Sequence, residues 1–429
     1  MCVALGFVAS CSDAPRATVS ADSTSTPTND TLSLADGSAT DAASGPDADA
    51  ADVPTESDAG TQASAAPAAP QTTFQTTCYD VAGAATDCGG TGQDGELRSG
   101  VGVTGPRFTD RGDGTVRDNL TGLIWLKDAG CLGKVTWSEA LTLSNALASG
   151  SCGLSDGSAA GDWHLPNFVE LVSLLQWSRT EWASGGKALA DGHPFENVPQ
   201  QLFWTSTTTT DGTDEARAVN LGWSGVFKAG EPKSLDYWVL PVRNDADTAN
   251  APVALPATNQ TDCFDASGAS VACDGTGQDG DIRAGVVWPQ PRFTDNGDGS
   301  ITDNLTGLVW LQQADCFDPA GFDQALASSA QLADGACNLS DGSAAGDWRL
   351  PNFRELFSLL DWSQFNPILT AGHPFKKVPL KLHWTSTASL PGGDGEARDR
   401  AWTISPYFNG NFHPATKTSE ERFLPVRDP

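Results

Sequence analysis

Eight cysteines stand in two sets of four with one spacing: Cys78, Cys88, Cys131 and Cys152, then Cys263, Cys273, Cys316 and Cys337. In an exported chain such sets form disulfides. Each set allows three pairings. The short local loops favour Cys78–Cys88 with Cys131–Cys152, and Cys263–Cys273 with Cys316–Cys337, each contributing about 3 kcal/mol by loop entropy. Zinc is a poor alternative, because there is no CxxC pair and no shared histidine nearby. Glu170 and Glu355 each follow a Leu-Pro-Asn string by three residues. A general acid is one use for them, but a helix-capping box with Asn167 and Asn352 accounts for the spacing. His164 faces Arg349 across the two sets, so it is not required by both. His193 and His373 lie in Gly-His-Pro-Phe turns that suit structural histidines. Asp295-Asn-Gly-Asp-Gly is one residue out of step for an EF-type calcium loop and reads as a hairpin turn. No nucleophile, base and orienter assemble, so the chain is expected not to be an enzyme and to need no cofactor, with calcium at the Asp-Gly loops as the alternative.

The cysteines belong to a larger duplication. Residues 78–243 recur at 263–427, at a register of 185 for nearly a hundred positions. Trp125, Trp163 and Trp177 recur as Trp310, Trp348 and Trp362. The period has the size of a domain, not of a solenoid unit. Positions shared by the copies are candidates for the common fold, and positions that differ are candidates for ligand choice. The expected organisation is a truncated signal at 1–11, a stalk at 12–77, a first domain at 78–243, a linker at 244–262 and a second domain at 263–429.

Residues 1–11 read MCVALGFVASC, an apolar run ending in small residues before a cysteine. Val8-Ala9-Ser10-Cys11 resembles a bacterial lipobox, with the lipid on Cys11 and Ser12 favouring the outer membrane or cell surface. No stretch is long and apolar enough to span a bilayer, so the expected membrane attachment is the lipid alone. Residues 12–77, rich in Ala, Ser, Thr, Asp and Pro, carry ten acids and one base. Such a segment does not bury enough apolar surface to offset its ordering entropy and is expected to be a disordered stalk. The net charge of −29 is spread over stalk, linker and both domains, which makes nucleic acid an unsuitable partner.

Within one domain, Arg107-Phe-Thr-Asp-Arg-Gly-Asp-Gly and Arg292-Phe-Thr-Asp-Asn-Gly-Asp-Gly predict hairpins leading into the Trp125 and Trp310 strands. Residues 136–148 place Trp137, Ala140, Leu141, Ser144, Leu147 and Ala148 on one helical stripe, and Phe322, Ala325, Leu326, Ser329, Leu332 and Ala333 repeat it. A second helix starts after each Leu-Pro-Asn. Strands follow at Trp204-Thr-Ser-Thr and Trp384-Thr-Ser-Thr, and each domain closes on Leu-Pro-Val-Arg. The fold class is α+β.

These ordered strings, with Asp-Asn-Leu-Thr-Gly-Leu-x-Trp and Gly-Asp-Trp-x-Leu-Pro-Asn-x-x-Glu-Leu, resemble the Lcl C-terminal domain family over both domains almost end to end. The resemblance implies two tandem C-type-lectin-like domains, each with two helices and short antiparallel strands. It also implies extracellular binding modules, one of which, in a collagen-like adhesin, takes sulfated glycosaminoglycans. The Glu-Pro-Asn, Gln-Pro-Asp and Trp-Asn-Asp strings of calcium-dependent lectins do not occur here, and the acidic balance suits a sulfated polymer poorly. In lectin-like folds the strand–turn–strand near the end commonly carries the ligand face, and there the copies diverge most. Aligning Ala218 with Ala401 gives Asn220, Trp223 and Lys228 in the first copy. The second supplies Trp402, Tyr407, Phe408, Asn409, Asn411 and His413. Aromatics with amide neighbours suit a glycan or an extracellular protein. The expected function is a cell-surface binding or adhesion lipoprotein; the alternatives are an envelope spacer and an enzyme of the formylglycine-generating fold.

Overall fold

The computed structural model describes residues 68–429 apart from 178–187, 223–226, 246–247, 367, 390–398, 408–409 and 411. The signal, Cys11 and residues 12–67 of the expected stalk therefore lie outside the described residues. Among the described residues no helix is long and apolar enough to cross a membrane.

Each repeat begins its core with the expected hairpin. Phe108–Asp110 pairs with Thr115–Asp118, and Phe293–Asp295 with Ser300–Asp303. The turn acids serve the turn: Asp110 Oδ1 accepts from the Gly112 amide at 2.9 Å, and Asp113 Oδ1 accepts from the Thr115 amide at 3.1 Å. Gly114 has φ +86°, and a Cβ there would stand 2.4 Å from the Gly153 carbonyl oxygen, so both conformation and space require glycine. The Trp strand Ile124–Leu126 adds to the hairpin, and the terminal Val242–Arg243 returns to pair with it, Val242 opposite Trp125. The same four-stranded antiparallel order recurs in the second repeat, ending with Val426 opposite Trp310.

A second sheet contains Leu202–Thr208, Glu215–Asn220 and Phe227–Pro232 in repeat one, extended by Tyr237–Trp238 and Lys134–Val135. In repeat two it is His383–Ser389, Arg400–Ile404 and Phe412–Thr416. Two helices cover each pair of sheets. Trp137–Ala146 and Phe322–Gln331 bury the predicted stripe as far as Leu147 and Leu332, while Ala148 and Ala333 are only half-buried. Phe168–Ser173 and Phe353–Ser358 start in full capping boxes. Asn167 Oδ1 accepts from the Glu170 amide at 2.9 Å, and the Glu170 carboxylate accepts from the Asn167 amide at 2.8 Å. The four disulfides are the local pairs, with Cα separations of 5.2, 5.7, 5.2 and 5.6 Å in chain order.

The two repeats do not stand apart on a linker. One apolar core runs through both. The indole of Trp177 stacks on Phe353 with centroids 3.8 Å apart, and Phe168 meets Trp362 edge-on at 4.7 Å. Since Phe168 corresponds to Phe353 and Trp177 to Trp362, the contact is reciprocal, as in an isologous interface. The segments expected to be free are built into this seam. Gln75 and Gln260 are buried. The Gln75 amide donates to Trp177 O of its own repeat and to Ala388 O of the other, and Gln260 does the same to Trp362 O and Thr208 O. Residues 68–77 and 253–262 therefore belong to the folded body; the sequence boundaries at 77 and 262 are too late. Their composition is polar, but Gln71, Thr73, Gln75, Thr258 and Gln260 donate to backbone carbonyls or carboxylates in the seam.

Further reciprocal contacts fasten the segments. Asn167 Nδ2 donates to Ala284 O and Asn352 Nδ2 to Ser99 O, both at 3.0 Å. The buried Lys233 ammonium donates to Asp265 O at 3.1 Å, and Lys417 donates to Asp80 O at 2.9 Å, so each holds the disulfide-closed hairpin of the opposite repeat. Burial lowers both amines to about 8. Arg354 breaks the reciprocity: buried, it donates to Val172 O at 3.0 Å and Leu175 O at 2.9 Å across the seam, where the first repeat has Val169.

Candidate functional site

The divergent strand–turn–strand is partly core. Thr205 Oγ1 donates to Arg217 O at 2.8 Å and Thr385 Oγ1 to Trp402 O at 2.9 Å, so Trp402 corresponds to Arg217, and Ala401 to Ala216. The alignment of Ala218 with Ala401 is corrected by two residues. Trp402 is 5 % exposed, its ring 5.0 Å from Trp177 and 5.7 Å from Phe353. It is a core residue of the seam and is unavailable to a ligand. Arg217 is also buried, its guanidinium 4.6 Å from the Trp362 ring. Tyr407 is half-buried and its hydroxyl donates to Val378 O at 3.1 Å. Asn220 ends its strand and its Oδ1 accepts from the Gly222 amide at 2.8 Å. Lys228 sits in the outer strand opposite Ala218. His413 is exposed on the outer strand. Trp223, Phe408, Asn409 and Asn411 lie outside the described residues.

Other shared motif residues prove to be anchors. Arg107 and Arg292, which open the Arg-Phe-Thr-Asp strings, are buried ion pairs with Asp118 and Asp303 at 2.9 and 2.7 Å. They also donate to Ser173 O and Ser358 O at 2.7 and 2.8 Å, tying the hairpin to the end of the capped helix. His383 is fully buried with Nδ1 2.9 Å from Lys381 O, and desolvation lowers it to about 4, which keeps it neutral. Among the described residues no three His, Cys, Asp or Glu side chains converge to hold a metal ion.

Two buried carboxylates were not singled out from the sequence. Asp94 accepts from Thr73 at 2.5 Å and from Thr387 of the other repeat at 2.6 Å. Asp279 accepts from Thr207 of the other repeat at 2.5 Å and from Thr258 at 2.8 Å. In each, Oδ1 is buried without a partner, and desolvation raises the carboxyl to about 6. The repeated Thr-x-Gln strings at Thr73 and Thr258 were the sequence signal for this seam.

Openings lie along the seam, two of them wide. One, of about 180 Å³, is a polar groove between Thr209–Thr213 of the first repeat, the Gln260–Phe264 segment and Ser363. Thr213 gives its hydroxyl hydrogen to Gly268 O at 2.8 Å and Ser363 gives its own to Asp361 at 2.6 Å. The exposed Asp262 carboxylate and the Thr213 hydroxyl oxygen give the groove acceptors, while the Ser363 hydroxyl already accepts from Gln364 Nε2 at 3.1 Å; Phe264 is on the wall. The other, of about 240 Å³, is bounded by Leu123, Glu170, Asn244, Leu255 and Val286.

The family model of the Lcl C-terminal domain matches residues 114–243 and 299–427. The chain belongs to the Lcl C-terminal domain family. The matched regions of this Lcl C-terminal domain protein hold the second sheets, three of the four strands of each first sheet, the capped helices and Cys131–Cys152 with Cys316–Cys337. They leave out the seam segments and the Cys78–Cys88 and Cys263–Cys273 hairpins. Both family domains thus take part of their packing from chain that precedes them. No curated protein gives a significant match.

Proposed function

We propose that this Lcl C-terminal domain protein is a non-catalytic ligand-binding lipoprotein with lectin-like modules, held at the bacterial outer surface by a lipid on Cys11. It recognises an extracellular glycan or protein. The observation that carries the reading is the polar groove of Thr213, Thr261, Asp262 and Ser363 with Phe264 on its wall. Its chemistry complements the hydroxyl donors of a neutral sugar or the amide donors of a peptide, while the ring offers an apolar face. Asp262 and the net charge of −29 disfavour sulfated polymers. The groups best able to do covalent chemistry are occupied elsewhere: the domain cysteines in disulfides, Glu170 and Glu355 in capping boxes.

The full chain is to be displayed on glycan and extracellular-protein arrays beside Asp262→Ala and Phe264→Ala. Retention of a neutral glycan or a protein, weakened about tenfold or more in either variant at unchanged Tm, is expected. No retained ligand, or retention indifferent to both substitutions, defeats the reading. With a complete signal in place, Cys11→Ala is expected to release the protein from membranes, and persistent membrane partitioning would refute the anchor.

A further inference from the structure

The repeats answer one structural question in two ways. In repeat two the capping glutamate Glu355 is held bidentately by Arg349, Nη1 to Oε2 at 2.7 Å and Nη2 to Oε1 at 2.8 Å. The same guanidinium reaches Asp428 at 2.7 Å. Arg349 thus lies between two carboxylates, and this pair of acids defines a seat for a planar cation. In repeat one the corresponding acceptors are Glu170 and Asn244, and Arg349 is replaced by His164. His164 is shorter and its ring meets Glu170, with Nε2 at 3.2 and 3.3 Å from the two carboxylate oxygens.

An opening lies beside this pair in repeat one. Glu170 and Asn244, counterparts of the two groups that hold Arg349, both border the opening of about 240 Å³. Leu123, Leu255 and Val286 form apolar walls, and the Glu170 side chain is 3 % exposed. Fully buried Asp279 adds negative potential to the same region, being close enough to interact electrostatically with Glu170 and His164.

We propose that this opening is a binding site for a guanidinium or alkylammonium group on a short apolar stem, in which Glu170 and Asn244 take the ligand's cation from the side of the opening, as Glu355 and Asp428 together take Arg349 in the other repeat. The stem lies along Leu123, Leu255 and Val286. The cation donates to Glu170, with the Asn244 amide oxygen as second acceptor. An arginine or lysine side chain of an extracellular protein and a free alkylamine share this chemistry. The site is separate from the polar groove and goes beyond the function proposed above.

The test titrates the full chain calorimetrically with n-butylguanidinium, with n-butanol and butyrate as neutral and anionic controls. One butylguanidinium per chain is expected, bound about tenfold or more tighter than either control. His164→Arg with Asn244→Asp rebuilds the arrangement of repeat two. This double variant is expected to keep the wild-type Tm and lose the site. Arg349→His with Asp428→Asn is expected to add a second equivalent. An acetylated Gly-Arg-Gly amide that binds as tightly as butylguanidinium assigns the ligand to a protein side chain; a peptide that fails where butylguanidinium succeeds assigns it to a free amine. The proposal is overturned if butylguanidinium binds no better than butanol, or binds the folded His164→Arg, Asn244→Asp variant unchanged.

Discussion

Asp94 and Asp279 give the seam an unusual response to pH. Burial raises each carboxyl from 3.8 to about 6, so the folded chain holds these protons more tightly than the unfolded one. Their contribution to stability is fully present below the unfolded value and is lost as pH rises through about 6. It amounts to about 3 kcal/mol for each aspartate. Many surface carboxylates shift the other way, Asp110 beside Lys127 among them, so the effect must be read as a difference between proteins. The Asp94→Asn, Asp279→Asn variant is expected to be more stable than the parent at pH 7.5 and to lose that advantage by pH 4. Urea melts across the range check this; a variant weaker at every pH would show that the charged carboxylates are the favourable form. Core position decides the aromatics by the same logic. Trp402→Ala is expected to cost about 3–5 kcal/mol, a stability loss and not a selective binding loss, measurable by the same melts.

At the scale of elements, the turn glycines and capping boxes set the edges of the framework. Gly299→Ala places a Cβ 2.3 Å from Asn338 O at φ +88°, whereas Gly297, at φ +76°, has nothing within 4 Å. Gly299→Ala is therefore expected to lower Tm more than Gly297→Ala, which carries the conformational cost alone of about 1 kcal/mol. Equal losses in calorimetry would remove the steric argument. Much at this scale was legible beforehand, because it is written in short-range spacing: Asn167 to Glu170, the Trp137 stripe, the Asp-Gly turns and the local cysteine pairs. What each element packs against was not. Periodicity states that Phe168 and Trp177 are buried, but the same stripe results whether the covering surface is its own repeat or the other. The polar composition of 68–77 and 253–262 concealed their role, since Gln75 and Gln260 act through carbonyls distant in sequence, Ala388 O at 313 positions and Thr208 O at 52, each in the other repeat. The ligand face was misplaced at Trp402 because a two-residue offset moved a core tryptophan to a strand surface on paper. The cavity beside Glu170 was half legible: the exchange of His164 for Arg349 marked the place, but Asn244 against Asp428 gained meaning only when the ion pair was seen.

The described residues fall within a single compact unit, which changes how the whole chain should behave. Two modules on a flexible linker would raise each other's effective concentration on a repetitive surface. Here any two sites have a fixed separation instead, so gain from a repetitive ligand depends on matching that spacing. A core shared by both repeats also predicts one cooperative unfolding transition for residues 68–429. Calorimetry is expected to give a single peak with equal van't Hoff and calorimetric enthalpies, and neither half expressed alone is expected to melt as the intact chain does. Two resolved peaks would show independent modules. Arg354 carries the last consequence. In a dimer of identical chains every substitution is made twice, and a guanidinium set against the partner's helix end would be accompanied by a second one in the mirrored place. Joining the copies in one polypeptide lifts that degeneracy. Arg354 can face Val169, Arg217 can answer Trp402, and His164 can stand where Arg349 bridges two carboxylates. Covalent fusion thus lets a nearly symmetric scaffold carry unequal faces, at the cost of no change in its framework.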